Sequence, residues 1–150
     1  MSAGKNARLT ALKALLRVEE GKGYSNLVLD HGLAASGLDG RDAAFASALF
    51  YGVLERRITL DYQISRYSKM PLSQMAEPVK EILRLGFYQL LYMDKVPQSA
   101  AVNESVKLTR AVKKDKASGF VNGILRSFIR DGCPCRLPAE TADDLSLIHI

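Results

Sequence analysis

The sequence predicts an all-α protein, a compact bundle of six or seven helices, and three observations lead there. Nearly every apolar segment repeats with the helical period, no stretch alternates long enough to be a half-buried strand, and helix punctuation falls between the segments. At 150 residues, 47% hydrophobic and 25% charged, the chain is about one domain with a real core.

The first helix should run from Ala7 to Glu20. Leu9, Leu12, Leu16, Ala11, Leu15 and Val18 form a broad apolar face, with Lys13, Arg17 and Glu20 opposite; Gly21 and Gly23 stop it. Ser25 is the expected N-cap of a short helix carrying Leu27, Val28 and Leu33. Asp39 is the expected cap of a longer one, burying Ala43, Phe45, Ala46, Leu49, Phe50 and Val53. Continued unbroken, it would swing Arg56 and Arg57 into the apolar stripe. A bend or an end is expected there, with Thr59 capping a continuation through Leu60 and Ile64.

Pro71 marks a loop, and Pro78 suits the first position of a helix reaching Tyr92, because its missing N–H needs no partner there. Val79, Ile82, Leu83, Gly86, Phe87, Leu90 and Leu91 cover over half that helix, with Leu85 and Tyr88 beyond, so it should be central. Gly86 should admit a close neighbour. Pro97 and Ser99 open a further helix to about Lys114, and Ser118 opens the last, to about Asp131. Residues 1–131 form the predicted domain. Residues 132–150, with Pro134, Pro138, Glu140, Asp143 and Asp144, read as linker or tail.

Composition excludes several classes of protein. Five prolines, two cysteines and no tryptophan do not describe a collagen, a mucin or a disulfide scaffold, and no apolar run approaches the ~18 residues of a membrane span. The polar start lacks the pattern of a secretory signal, so a reducing cytoplasm is the expected compartment. Cys133-Pro134-Cys135 supplies two thiols, too few for a tetrahedral zinc site, and His31 and His149 stand at no ligand spacing from them. No metal site and no catalytic site is predicted, and no phosphate-binding loop occurs.

Twenty-one Lys and Arg against 16 Asp and Glu give a formal charge of +5, which admits nucleic acid as a partner. On the helix after Ser99, Asn103, Lys107, Arg110 and Lys114 fall in one arc opposite Ala101, Val102, Ser105, Leu108, Thr109 and Val112. Lys113 and Lys116 extend its positive end, and Arg126 and Arg130 line the outward side of the last helix beside Asn122. Such a stripe can follow RNA phosphates, or it can be a solvated surface with cations near a helix C-terminus. Lys5, Arg8 and Lys13 are further candidates in the first segment. Arg8 falls on the apolar arc, which also admits a buried or capping charge paired with a carboxylate such as Glu104. Glu104 itself lies at the border of the apolar face, where tying helices together is a better reading than acid–base chemistry, which needs a second group.

Three blocks together resemble the NusB-like family. They are Phe45 to Leu54 followed by Leu60-Asp61; Ile82 to Leu91; and Val96-Pro97 with Ala101-Val102-Asn103-Glu104-Ser105-Val106, ending in Phe120-Val121-Asn122-Gly123-Ile124-Leu125-Arg126. The resemblance covers Ala7 to Arg130, and it makes Asn103, Glu104, Asn122 and Gly123 structural motif positions. It implies an all-helical bundle that binds RNA. Two branches are at issue: free-standing antitermination factors, which bind boxA-type RNA with a ribosomal-protein partner, and the N-terminal domain of RsmB-type small-subunit ribosomal RNA cytosine-5 methyltransferases. Gly23-Tyr24-Ser25-Asn26, Tyr51 to Arg57, Leu91 to Pro97 and Gly123 to Arg130 are more similar to the second.

That resemblance implies a domain gripping ribosomal RNA, with chemistry and S-adenosylmethionine confined to a catalytic domain beyond this sequence. No cofactor is expected in this chain. The chain is read as truncated before that domain, with non-native residues near its end. Tyr24 or another exposed aromatic would stack on an unpaired base. A third alternative is a protein-docking domain, for the catalytic domain or another partner, without RNA contact.

Overall fold

The computed structural model describes residues 6–137, and among them lie seven α-helices and no strand. Helix α1 spans Ala7–Glu19, where the Asn6 side chain accepts from the Leu9 N–H at 3.1 Å. It buries Leu9, Ala11, Leu12, Ala14 and Leu15. Left-handed Gly21 then ends it, as the glycine pattern predicts. Helix α2 covers Ser25–Ser36. Ser25 is its first residue and not its cap: Tyr24 holds that position and offers no side-chain acceptor. Leu27, placed with the apolar side, is instead exposed, while Val28 and Leu29 are buried.

Helix α3 spans Gly40–Glu55 and α4 spans Arg57–Ser65. The Asp39 carboxylate caps α3, accepting from the Asp42 N–H at 2.8 Å. The chain breaks where continuation would have buried arginines, but Thr59 does not cap α4. Arg56 is the single non-helical residue of the joint: its N–H still reaches Gly52 and its carbonyl already serves Leu60. Its guanidinium lies over the Tyr92 ring at 4.3 Å, and Arg57 turns to Glu19. A one-residue kink thus sends both cations away from the stripe that Phe50 and Val53 bury.

After a 3-10 turn at Leu72–Gln74, α5 runs Glu77–Tyr92 with Pro78 second rather than first. It is the central helix, packing against α1, α3, α4, α6 (Gln98–Ala111) and α7 (Ser118–Arg130). Gly86 faces the α6–α7 pair. A Cβ there would stand 2.8 Å from Leu125 Cδ2 and 3.1 Å from Ser105 Oγ, so the close approach needs glycine. Phe87 stacks on Phe128 at 4.3 Å, joining α5 to α7 through the core.

Helix α6 starts from Pro97, so Ser99 lies inside it and caps nothing. It ends at Ala111, short of the expected Lys114, because Lys113 turns left-handed at φ 61° and the Lys114 N–H closes back on Thr109. A 3-10 turn at Asp115–Ala117 leads into α7, and the Thr109 and Ser118 hydroxyls meet at 2.7 Å across the corner. Beyond α7 the chain folds back on α4. The buried Gln63 carboxamide donates to the Arg136 carbonyl at 2.7 Å and accepts its N–H at 2.9 Å. Among the described residues no helix is long and apolar enough to cross a membrane.

Candidate nucleic-acid interface

The i, i+4 spacing of α6 sets Asn103, Lys107 and Arg110 on its outward side, and α7 packs alongside with Asn122 facing them. Ser99, Asn103, Glu104, Lys107, Arg110 and Asn122 line an open groove of about 530 Å³. Lys107 and Arg110 are exposed at its rim. Asn122 accepts from Arg126 Nε at 3.0 Å, fixing that cation beside the groove, and Arg130 donates to Ser127 Oγ at 3.0 Å one turn on. Gly123 is exposed with nothing within 4 Å of a Cβ built there, so packing does not demand glycine.

Lys113, Lys114 and Lys116 are also exposed, but on the turn beyond α6 rather than on its face. They line a second open groove, of about 480 Å³, with Ala76 and Val79. Lys13 lies apart on α1, beside a smaller hollow of about 220 Å³ shared with Arg17 and His31. The structure therefore brings Asn103, Glu104, Lys107, Arg110 and Asn122 together in one groove with Arg126 beside it, sets Arg130 further along α7 and the three lysines of the turn in a second groove, and leaves Lys13 on another helix. Lys5 lies outside the described residues.

Arg8 does not join the outward cations. Its Nε donates to Gln89 Oε1 at 2.7 Å, and its guanidinium packs on the Phe45 ring at 5.1 Å. Burial pushes its pKa below the usual value, against the opposing pull of Glu104. The carboxylate anticipated for it is thus electrostatically close, while the hydrogen bond goes to a carboxamide. Glu104 is half-buried, and its Oε2 meets Lys107 Nζ at 3.3 Å.

A second polar centre went unread in the sequence. Arg84, 5% exposed, makes two hydrogen bonds to Asp61 at 2.7 and 2.8 Å, one to Glu81 at 2.8 Å and a longer one to Glu19 at 3.4 Å. Its only sequence signal is a cation within the apolar run from Ile82 to Leu91. Burial pushes the Glu81 carboxyl above the usual range, against the pull of Arg84 and Arg57. The oxygens of Glu19, Glu77 and Glu81 come within 4.8 Å of one another, and each already faces Arg57, Lys80 or Arg84 as an ion pair. This centre ties α1, α4 and α5 together.

The two cysteines are free and face different partners. Cys133 Sγ lies 3.6 Å from Gln98 Nε2, and burial pushes its thiol upward, away from the reactive thiolate; Cys135 Sγ lies 3.8 Å from the Tyr92 hydroxyl. Among the aromatics, Tyr24 is the most exposed, at 79%.

Known proteins share both the sequence and this architecture. A probable ribosomal RNA small subunit methyltransferase B of Bacillus subtilis is 35% identical over 130 residues, which are 86% of this chain and 29% of that protein. The transcription antitermination protein NusB of Bacillus velezensis is 34% identical over 128 residues, 85% of this chain and 95% of that one. The chain thus spans under a third of the methyltransferase relatives it matches, 29% and 28% of two of them. Among solved structures, NusB of T. maritima superposes with a TM-score of 0.77 at 24% identity, over 89% of this chain and 94% of that one. A chain from the crystal structure of the antitermination factors NusB and NusE with double-stranded RNA gives 0.77 at 20% identity, over 85% of this chain and 96% of that one. The family match itself runs over residues 5–130 and so takes in all seven helices: the chain belongs to the NusB family.

Proposed function

We propose that the α6–α7 face binds RNA, and that the chain acts as the ribosomal RNA-gripping N-terminal module of an RsmB-type methyltransferase. The observation that carries RNA binding is the run of Lys107, Arg110, Lys113, Lys114, Lys116, Arg126 and Arg130 on contiguous exposed elements. Only Lys107 among them has a carboxylate partner among the described residues. Cations held at a surface without acids attract a polyanion and release its counterions on contact. The NusB chain solved with NusE and double-stranded RNA has the same fold, which supports this reading.

Mechanistically the face positions RNA and performs no bond chemistry. Phosphate contacts fix register, and an exposed aromatic such as Tyr24, at the start of a helix that packs on α1 and α3, or Tyr51 is available to stack on an unpaired base. S-adenosylmethionine and methyl transfer belong to the catalytic domain that RsmB-type proteins carry, so no methylation is expected from these residues alone. The methyltransferase branch is supported by the 35% identity to the Bacillus subtilis relative. One observation favours the antitermination branch as a second reading: the B. velezensis NusB matches over 95% of its own length.

The test is a binding titration of ribosomal RNA fragments and boxA-like single strands against wild type and the Lys107→Glu/Arg110→Glu variant over a range of salt. Weaker binding and a shallower salt dependence in the variant support the interface. Identical curves would remove it. Preference for the boxA strand together with capture of NusE would move the assignment to antitermination. Tight association with an added methyltransferase domain and no RNA affinity would replace both with a docking role.

A further inference from the structure

The groove between α6 and α7 is more than a row of cations, because its floor carries an acid. The Glu104 side chain is 28% exposed, whereas its neighbour Lys107 is 67% exposed, so the carboxylate lies deeper and the ammonium forms the rim. Lys107 engages Oε2, and Oε1 accepts no hydrogen bond among the described residues. Asn103, Asn122 and Ser99 add neutral donors and acceptors around it, and the groove's 530 Å³ falls within the ~300–1,000 Å³ typical of small-ligand sites. Behind the groove, Arg8 is locked by Gln89 and Phe45, and its positive field offsets the acid without filling the groove.

A surface built solely for phosphate gains nothing from a carboxylate there, since the two anions repel. A base edge that presents donors does gain. Guanine offers N1–H and N2–H side by side, matching the two oxygens of one carboxylate, with O6 alongside for a donor such as the Lys107 ammonium. Adenine and cytosine offer one amine beside a ring acceptor, and uracil offers one N–H between two carbonyls. We infer that the α6–α7 groove takes a single unpaired guanine from the bound RNA, read by the Glu104 carboxylate at its floor. This rests on the RNA-binding reading above and adds base selection to it.

Fluorescence anisotropy with the full chain tests the inference, using uridine decamers that carry one central guanosine, inosine or adenosine. Inosine keeps N1–H and lacks the N2 amine. Wild type should bind the guanosine strand about tenfold more tightly than the inosine strand, the scale of a lost bidentate base contact. Glu104→Gln should erase that ratio while leaving the salt dependence of binding unchanged. Its melting temperature, measured alongside, identifies folding loss, and the guanosine–inosine comparison in wild type needs no variant at all. Equal affinity for guanosine and inosine strands, with binding still salt-dependent, would overturn the guanine site and leave the phosphate face standing. A Glu104→Gln variant that weakens all strands equally would likewise overturn it. Absence of binding to every strand would remove the RNA-binding reading itself.

Discussion

Arg84 and Arg110 are the same residue in one small bundle, and they illustrate two uses of positive charge. Arg84 is buried among α1, α4 and α5, with hydrogen bonds to Asp61, Glu81 and Glu19. Arg110 and the lysines of the following turn stand in solvent with no carboxylate within ion-pair distance among the described residues. The number of acids around a cation, more than its place in a charged stripe, separates a structural charge from one available to a ligand. Removing an inner cation leaves the buried Glu81 carboxylate uncompensated; removing an outer one leaves only water.

The sharpest break in that contrast is Arg84→Met. With Glu81 fully buried and stripped of its partner, the loss should reach about 3–5 kcal/mol in urea unfolding, with the RNA affinity of the remaining folded protein unchanged. An equally stable variant would mean that the inner cluster ties nothing together. Gly86→Ala should come next, at about 1–3 kcal/mol, because Leu125 and Ser105 must give way to the new methyl. Thermal melts check it, and no change would show that α7 can shift freely.

The outer set should respond in the opposite sense. Lys107→Glu with Arg110→Glu should move stability by no more than about 0.5 kcal/mol, since neither side chain supports the core. The same pair should lower the slope of log affinity against log salt by about 1.4, from two single-strand phosphate contacts at ~0.7 each. Loss of the fold with the slope intact would reverse the assignment of roles.

The smallest effect concerns acid. The Tyr67 hydroxyl and Arg136 hold the Asp131 carboxyl below the usual range. A depressed folded value means its contribution is full above the ordinary carboxylate range and is lost as pH falls through the depressed value. Glu81 runs the other way: raised by burial, it favours the fold as pH falls through its elevated value. Hydrogen-exchange protection of the Arg136 amide should therefore decline in acid before the core amides do. Simultaneous loss would show that the two regions open as one unit.

Much of the fold was legible in the sequence, through features that act locally. Periodicity marked α5 as central, Gly86 as a close approach and Asp39 as a cap, and the conflict between Arg56 and the apolar stripe located the α3–α4 break. The errors lie where backbone context overrides composition. Tyr24 and Pro97 took the cap positions that Ser25 and Ser99 suggested, and a left-handed lysine gave no warning that α6 stops at Ala111. Arg84 was opaque for another reason, because its partners Asp61 and Glu19 stand 23 and 65 residues away. Lys107 and Arg110 were readable because one helix face orders them, whereas Lys114 fell off that face with the early end of α6 and Arg8 could be placed only by knowing what packs over it.

The hydrogen bonds between Gln63 and the Arg136 backbone bear on geometry as well as stability. Because Arg136 is fastened to Gln63 and Tyr67, the direction in which residues 132–137 leave the bundle is set by α4 and not by the axis of α7. Gln63→Ala would leave that direction to the Arg136 guanidinium alone, through its contacts with the Tyr67 hydroxyl and the Asp131 carboxylate.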